Sequence, residues 1–244
     1  MEGEPVSAPV RGELRYGLEL ARLLATPRFL RVAPGRDPHP VLLVPGFLAG
    51  DASLTAMAGW LRRRGHRVRG SGMRVNVGCA GRELSRLEGK LAEFDRPVVV
   101  VGQSRGGTLA RALAAGHPES VAGLVTLGSP VLDPLAVSAP VMRTVRSFAR
   151  LGDLGMRGVF SSECADGPCC TEFNSLLEAP LEPDLSTLAV YSRSDGIVDW
   201  RACLDPHARC VEVEGSHCGM AVNAGVYREL EDLLERTEVA KSKR

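Results

Sequence analysis

One stretch narrows what this chain can fold into more than any other. Four valines at 98–101 run into Gly102-Gln-Ser-Arg-Gly106, and residues 107–115 then read as a helix. A continuous apolar run of this length suits a strand buried on both faces of a parallel sheet. G-x-S-x-G between such a strand and a helix is the pattern of a sharp turn that exposes its serine at the carboxyl edge of the sheet. Glycines two positions either side of Ser104 let strand and helix pass close together. The same turn sets the backbone N–H of Arg105 at a helix N-terminus, where a free donor and the helix dipole favour developing negative charge. A phosphate loop does not fit, because neither G-x-x-x-x-G-K-[ST] nor G-x-G-x-x-G is present here.

The rest of the chain repeats this alternation. Strand-like runs at 41–44, 66–70, 97–101, 121–127, 187–191 and 210–213 are separated by helical patterns at 53–64, 83–94, 107–115 and, last, 222–234. Such an order predicts an α/β fold, with about six mostly parallel strands and helices on both faces. An amphipathic helix over 14–24, with Leu14, Leu18, Leu20, Leu23 and Leu24 at helical spacing, precedes the sheet. Between 129 and 183 the alternation lapses into a Pro-, Gly- and Cys-containing segment with a short helical piece near 141–151. A stretch that long without regular pattern is usually functional, and it is expected to form a cap. The 244 residues, 44% hydrophobic, suit one domain over 1–244, with 129–183 as the cap and 239–244 as a flexible tail.

Composition removes several function classes. Lys+Arg 30 against Asp+Glu 29 leaves nothing global to attract nucleic acid or an anionic surface. Aromatics at 5% are too few for base-stacking platforms. No apolar run approaches the ~20 residues of a membrane-spanning helix. Residues 1–9 carry acids and prolines where a secretion signal would carry a basic end and an apolar core, so a cytoplasmic location is expected. Seven cysteines complicate that expectation. Cys164, Cys169 and Cys170 crowd one loop, and Cys203 and Cys210 bracket another. Neither group shows paired Cys-x2-Cys spacing or a histidine partner, so no metal is expected. In an oxidising setting, Cys203–Cys210 and Cys164 with Cys169 or Cys170 would be the plausible disulfides.

The motifs Val44-Pro-Gly-Phe-Leu48, Gly102-Gln-Ser-Arg-Gly106, Ser194-Asp-Gly-Ile-Val-Asp199 and Gly215-Ser-His-Cys-Gly219, in that order, resemble those of the α/β-hydrolases, and within them the small bacterial lipase and esterase branch. The resemblance spans roughly residues 41–234. It implies Ser104 as nucleophile, and an oxyanion hole built from the backbone N–H groups of Arg105 and Phe47, with Leu48 the second choice. Where the family often has His-Gly-Phe, this chain has Pro45-Gly46-Phe47.

Chain order in that fold requires serine, then acid, then histidine. Of the five histidines, His39 and His66 precede Ser104, His117 closes the helix after it, and His207 lies between two cysteines. His217 follows the last strand pattern in a Gly-rich turn and is the expected base. Asp195, in a Ser-Asp-Gly turn after 187–191, is the expected acid, with Asp199 and Asp133 as alternatives. The chemistry implied is cleavage of a small carboxylic ester through an acyl-enzyme, with no cofactor. An apolar acyl group would suit the cap residues Leu132, Val137, Val141, Met142, Phe148, Phe160, Leu176 and Leu177, unless these form only the cap's own core. Thioester hydrolysis or acyl transfer on the same triad, and a catalytically silent binding protein, are the rival expectations. Oligomeric state and substrate are open.

Overall fold

The computed structural model describes residues 10–30, 38–165 and 167–242. Residues 1–9, which carry the expectation about location, lie outside the described residues. So do 31–37 of the Pro-rich stretch and the last two tail positions, 243–244.

Six strands form one sheet: β1 Pro40–Val44, β2 Arg67–Gly70, β3 Val98–Gln103, β4 Val121–Leu127, β5 Ser186–Tyr191 and β6 Arg209–Glu212. Their order is β2-β1-β3-β4-β5-β6, and every neighbouring pair is parallel. Helices α1 Tyr16–Ala25, α2 Pro27–Leu30, α3 Thr55–Arg63, α4 Ala80–Leu91, α5 Arg105–Gly116, α6 Ala139–Asp153, α7 Thr171–Glu178 and α8 Ala224–Ser242 complete the described chain.

The unbroken valine run has a simple cause. Val99 and Val101 join a core with Leu23, Trp60 and Leu230, while Val98 and Val100 join a second core with Leu84, Leu109 and Leu113. Both faces of β3 are covered along 98–101, so these four positions are apolar. The sheet reverses direction of growth between β1 and β3, and open α/β sheets bind their ligands at the carboxyl ends of strands at such a switch point. The two loops that leave this point are 45–50 and the turn at Ser104.

Two parts of the chain differ from the sequence reading. Residues 171–178, expected to be irregular cap, form α7, and its Phe173 and Leu177 lie in the core with Leu109 and Leu113. Leu176 packs against the same cluster. These two leucines therefore belong to the helical layer, Leu177 buried and Leu176 half-buried. An eight-residue helix holds too few turns to show its period among loop residues, which is why the pattern was missed. At the other end, residues 239–242 continue α8 where a flexible tail was expected. The part of 129–183 that stays outside the core is α6: Leu132 before it is exposed, and no residue of α6 is fully buried.

Candidate active site

The turn after β3 is built by close approach. A Cβ at Gly102 would overlap the backbone of Gly106 and Gly107, and one at Gly106 would overlap the carbonyls of Val44 and Pro45. Ser104 sits between them at φ 52°, ψ −126°, a left-handed conformation that costs a non-glycine residue ~1–3 kcal/mol. Its N–H is held by Leu127 O at 2.8 Å. Its hydroxyl is partly exposed, and makes no hydrogen bond among the described residues.

Two backbone N–H groups in the loops next to Ser104 form no hydrogen bond among the described residues. Arg105 opens α5, so its N–H has no acceptor within the helix. In the loop after β1, Leu48 N–H is engaged by Asn76 O at 3.3 Å, whereas Phe47 N–H forms no hydrogen bond among the described residues. The loop itself is strained, with Leu48 at φ 60°. Asn76 holds it: its amide donates to Pro45 O at 2.8 Å, and its Oδ1 accepts from the Arg105 guanidinium. Arg105 also donates to Gly78 O at 2.5 Å. The Arg105 side chain thus braces the loop, a role that its position in the G-x-S-x-G motif does not reveal.

His217 and Asp195 meet on the opposite side. Gln103, the residue before Ser104, donates to His217 O at 3.1 Å, which fixes the histidine loop beside the turn. His217 Nδ1 lies 2.6 Å from Asp195 Oδ2, and both residues are buried. A carboxylate can only accept, so Nδ1 carries the proton and Nε2 keeps its lone pair. Asp195 Oδ1 is filled by the N–H groups of Ile197 and Val198, both at 2.8 Å. Burial pushes the imidazole pKa down, but the charge and hydrogen bond of Asp195, with the charge of Glu13, outweigh it. The net shift is upward. Of the alternative acids, Asp199 caps the turn at Arg201 and Asp133 accepts from Leu135, and neither contacts His217. Of the other histidines, His117 pairs with Glu88, His207 donates its N–H to Asp205, and His66 accepts from His39 N–H.

Two carboxylates from the N-terminal segment were not anticipated. Glu13 accepts the N–H of His217 at 3.0 Å, of Cys218 at 2.9 Å and of Gly196 at 3.3 Å. It ties the loop of the base to the loop of the acid. Glu19 is buried and takes both the N–H and the hydroxyl of Ser216, at 2.8 and 2.6 Å. A Cβ at Gly219 would overlap Glu19, so the glycine is what admits the carboxylate. The sequence signal was slight: Glu13 just before, and Glu19 within, a helix otherwise placed for its apolar face.

Over the Arg105 side lie three aromatic rings. Phe47 meets Phe148 of α6 edge-on at 5.8 Å and Phe160 at 6.0 Å.

Comparison with known proteins agrees with this architecture. Residues 94–186 match a family model described as alpha/beta hydrolase fold. A lipase from Bacillus licheniformis in its mature form superposes with a TM-score of 0.61 at 16% identity, covering 84% of this chain and 95% of its own. Alpha/beta hydrolase domain-containing protein 10 from mouse gives 0.58 at 19% identity, over 81% of this chain and 90% of its own. An alpha/beta hydrolase enzyme from a sediment metagenome of the Mar Chica lagoon gives 0.57 at 16%, over 83% and 93%. No curated protein sequence matches the chain. Among the described residues, no helix is long and apolar enough to cross a membrane.

Proposed function

We propose that this chain, an α/β-hydrolase by fold, is a serine hydrolase of small carboxylic esters. The observation that carries the reading is the buried 2.6 Å bond between His217 and Asp195, set beside a strained and unbonded Ser104. A strained backbone at a serine persists only where the surroundings enforce it, and such strain clusters at functional sites.

The chemistry follows from the polarity of each group. His217 Nε2 takes the Ser104 hydroxyl proton as Oγ bonds to the ester carbonyl carbon. The carbonyl π pair moves to oxygen, and the N–H groups of Arg105 and Phe47 receive that charge. Collapse re-forms the carbonyl and expels the alkoxide, which takes the proton back from His217. Water then repeats the sequence on the acyl-enzyme and releases the acid. Asp195 holds Nδ1 protonated and supports the imidazolium that forms twice per turnover. A loss of one oxyanion donor in such a site costs ~3 kcal/mol, which makes the bracing of the 45–48 loop by Asn76 and Arg105 consequential. The aromatic group formed by Phe47, Phe148 and Phe160 is apolar and borders the oxyanion loop, so an apolar acyl group is the expected cargo.

The test is hydrolysis of p-nitrophenyl esters from acetate to palmitate by the wild type and by Ser104→Ala. Turnover that disappears with the serine supports the reading. Equal rates in both proteins, or no ester turnover together with no labelling of Ser104 by a fluorophosphonate, would overturn it.

A further inference from the structure

A second constellation lies outside the Ser104 site. The thiols of Cys79, Cys164, Cys169 and Cys170 come together with all four sulfurs within 4.8 Å of one another. Cys79 and Cys170 are 91 residues apart in sequence. Cys79 is the N-cap of α4, Cys170 that of α7, and Cys164 and Cys169 lie in the turn between α6 and α7. The recorded separations are 3.5 Å for Cys79–Cys170, 3.7 Å for Cys169–Cys164 and 3.9 Å for Cys169–Cys170.

These distances decide between two chemistries. A disulfide brings one pair of sulfurs to about 2.05 Å and leaves the other pair apart. Four thiolates around zinc at about 2.3 Å sit at the corners of a tetrahedron whose edges are about 3.8 Å. Here three edges are alike, all close to the second value, and no pair is singled out. We propose that Cys79, Cys164, Cys169 and Cys170 form a closed tetrathiolate site for one structural zinc ion, which fastens the cap to the N-terminus of α4.

The surroundings suit a cluster of net charge −2. Cys79 and Cys170 are the N-caps of α4 and α7, where the first backbone N–H groups have no acceptor within the helix. Amide donors at a helix N-terminus favour thiolates over thiols. A Cβ at Gly81 would overlap Cys169 O, so the absence of a side chain is what lets the Cys169–Cys170 backbone reach the helix end. The Arg105 guanidinium, bonded to Gly78 O next to Cys79, supplies the nearest compensating positive charge. Amide donors, a glycine made necessary by close approach and a cation beside the ligands form the kind of outer shell that orients metal ligands. All four positions are filled by protein, which marks a structural rather than a catalytic site. On binding, the four S–H protons pass to solvent.

Sequence spacing pointed away from this, since Cys164-x4-Cys169-Cys170 lacks Cys-x2-Cys pairs and Cys79 was not counted with them. The fold supplies the fourth ligand.

The test is the metal content of the untagged full chain, purified under reducing conditions without chelator. One zinc per chain is expected. Cys79→Ser and Cys164→Ser should lose it, while Cys203→Ser and Cys210→Ser keep it. Should the first two variants fail to fold, the wild type answers alone: a mercurial titration should release one zinc per chain, in step with modification of four of its seven thiols. Cobalt(II) exchanged into the site should show the intense visible absorption of a tetrahedral thiolate complex. Less than half an equivalent of zinc, zinc retained by Cys79→Ser and Cys164→Ser, iron in its place, or two disulfides among these four cysteines would each overturn the assignment.

Discussion

Glu13 accepts the backbone N–H of His217 across 3.0 Å, although the two residues stand 204 apart in the chain. Its charge is one of the causes that hold the His217 pKa above the ordinary imidazole value, after burial, which acts downward, and Asp195, which acts upward. The proposed mechanism requires neutral His217, so the acid limb of kcat/KM against pH is expected to follow that pKa. Removing the charge while keeping an acceptor, Glu13→Gln, lowers the pKa and moves the acid limb to lower pH. A limb that stays in place or moves to higher pH would show that Glu13 does not act on the histidine through its charge.

Asp195 acts through the tautomer. Asparagine at this position can offer its NH2 group to Nδ1, which moves the proton to Nε2 and leaves no base for Ser104. Asp195→Asn is expected to lower kcat by about 10³–10⁴-fold with little change in KM. Asp199→Asn and Asp133→Asn, whose carboxylates only serve neighbouring turns, should retain activity within about threefold of wild type, because surface turn changes typically cost under ~0.5 kcal/mol. Steady-state kinetics of the three variants check this, and an Asp195→Asn enzyme as active as Asp199→Asn would remove Asp195 from the triad.

What could be read in the sequence divides by distance along the chain. The G-x-S-x-G turn, the individual strand and helix runs and the Asp195 and His217 turns each lie in a few consecutive residues, where period and glycine spacing carry the signal. The resemblance ranks Phe47 ahead of Leu48 as donor, and the pairing of Leu48 N–H with Asn76 O leaves Phe47 N–H the unengaged one of the two. Glu13, Glu19, Asn76 and Cys79 act on residues tens to hundreds of positions away, and their own neighbours in sequence say nothing of it. The Leu176 and Leu177 pair shows the converse. Expected to offer apolar surface or to form only the cap's own core, they sit on a short helix that buries Leu177 with Leu109 and Leu113 and packs Leu176 against them.

Arg111 offers a test of the scaffold rather than the site. Its Nε meets Asp205 at 2.6 Å with both side chains nearly closed to solvent, and its Nη1 reaches the carbonyls of Leu177 and Ala179. It joins α5 to the end of α7 and to the 205 turn. Breaking a buried pair leaves an uncompensated charge and costs ~3–5 kcal/mol. For a domain of this size, each kcal/mol moves Tm by ~2–4 °C, so Arg111→Met should lower Tm by roughly 10 °C. The double variant with Asp205→Leu should recover part of the loss. Calorimetry decides, and a single variant as stable as wild type would show the pair to be dispensable.

Gly128 is the residue on which the His217 ring rests. It adopts φ 54°, and a Cβ there would come 3.0 Å from Met220 Sδ and 3.1 Å from His217 Nδ1. Gly128→Ala therefore carries backbone strain of ~1–3 kcal/mol and presses on the atom that bonds Asp195. The expected result is a loss of kcat well beyond what the fall in Tm explains, since a displacement of about 1 Å at a reacting group can cost 10²-fold. Activity measured at several temperatures below the melting transition separates the two effects. A variant that loses stability but keeps its kcat at low temperature would show that the His217–Asp195 geometry tolerates the shift.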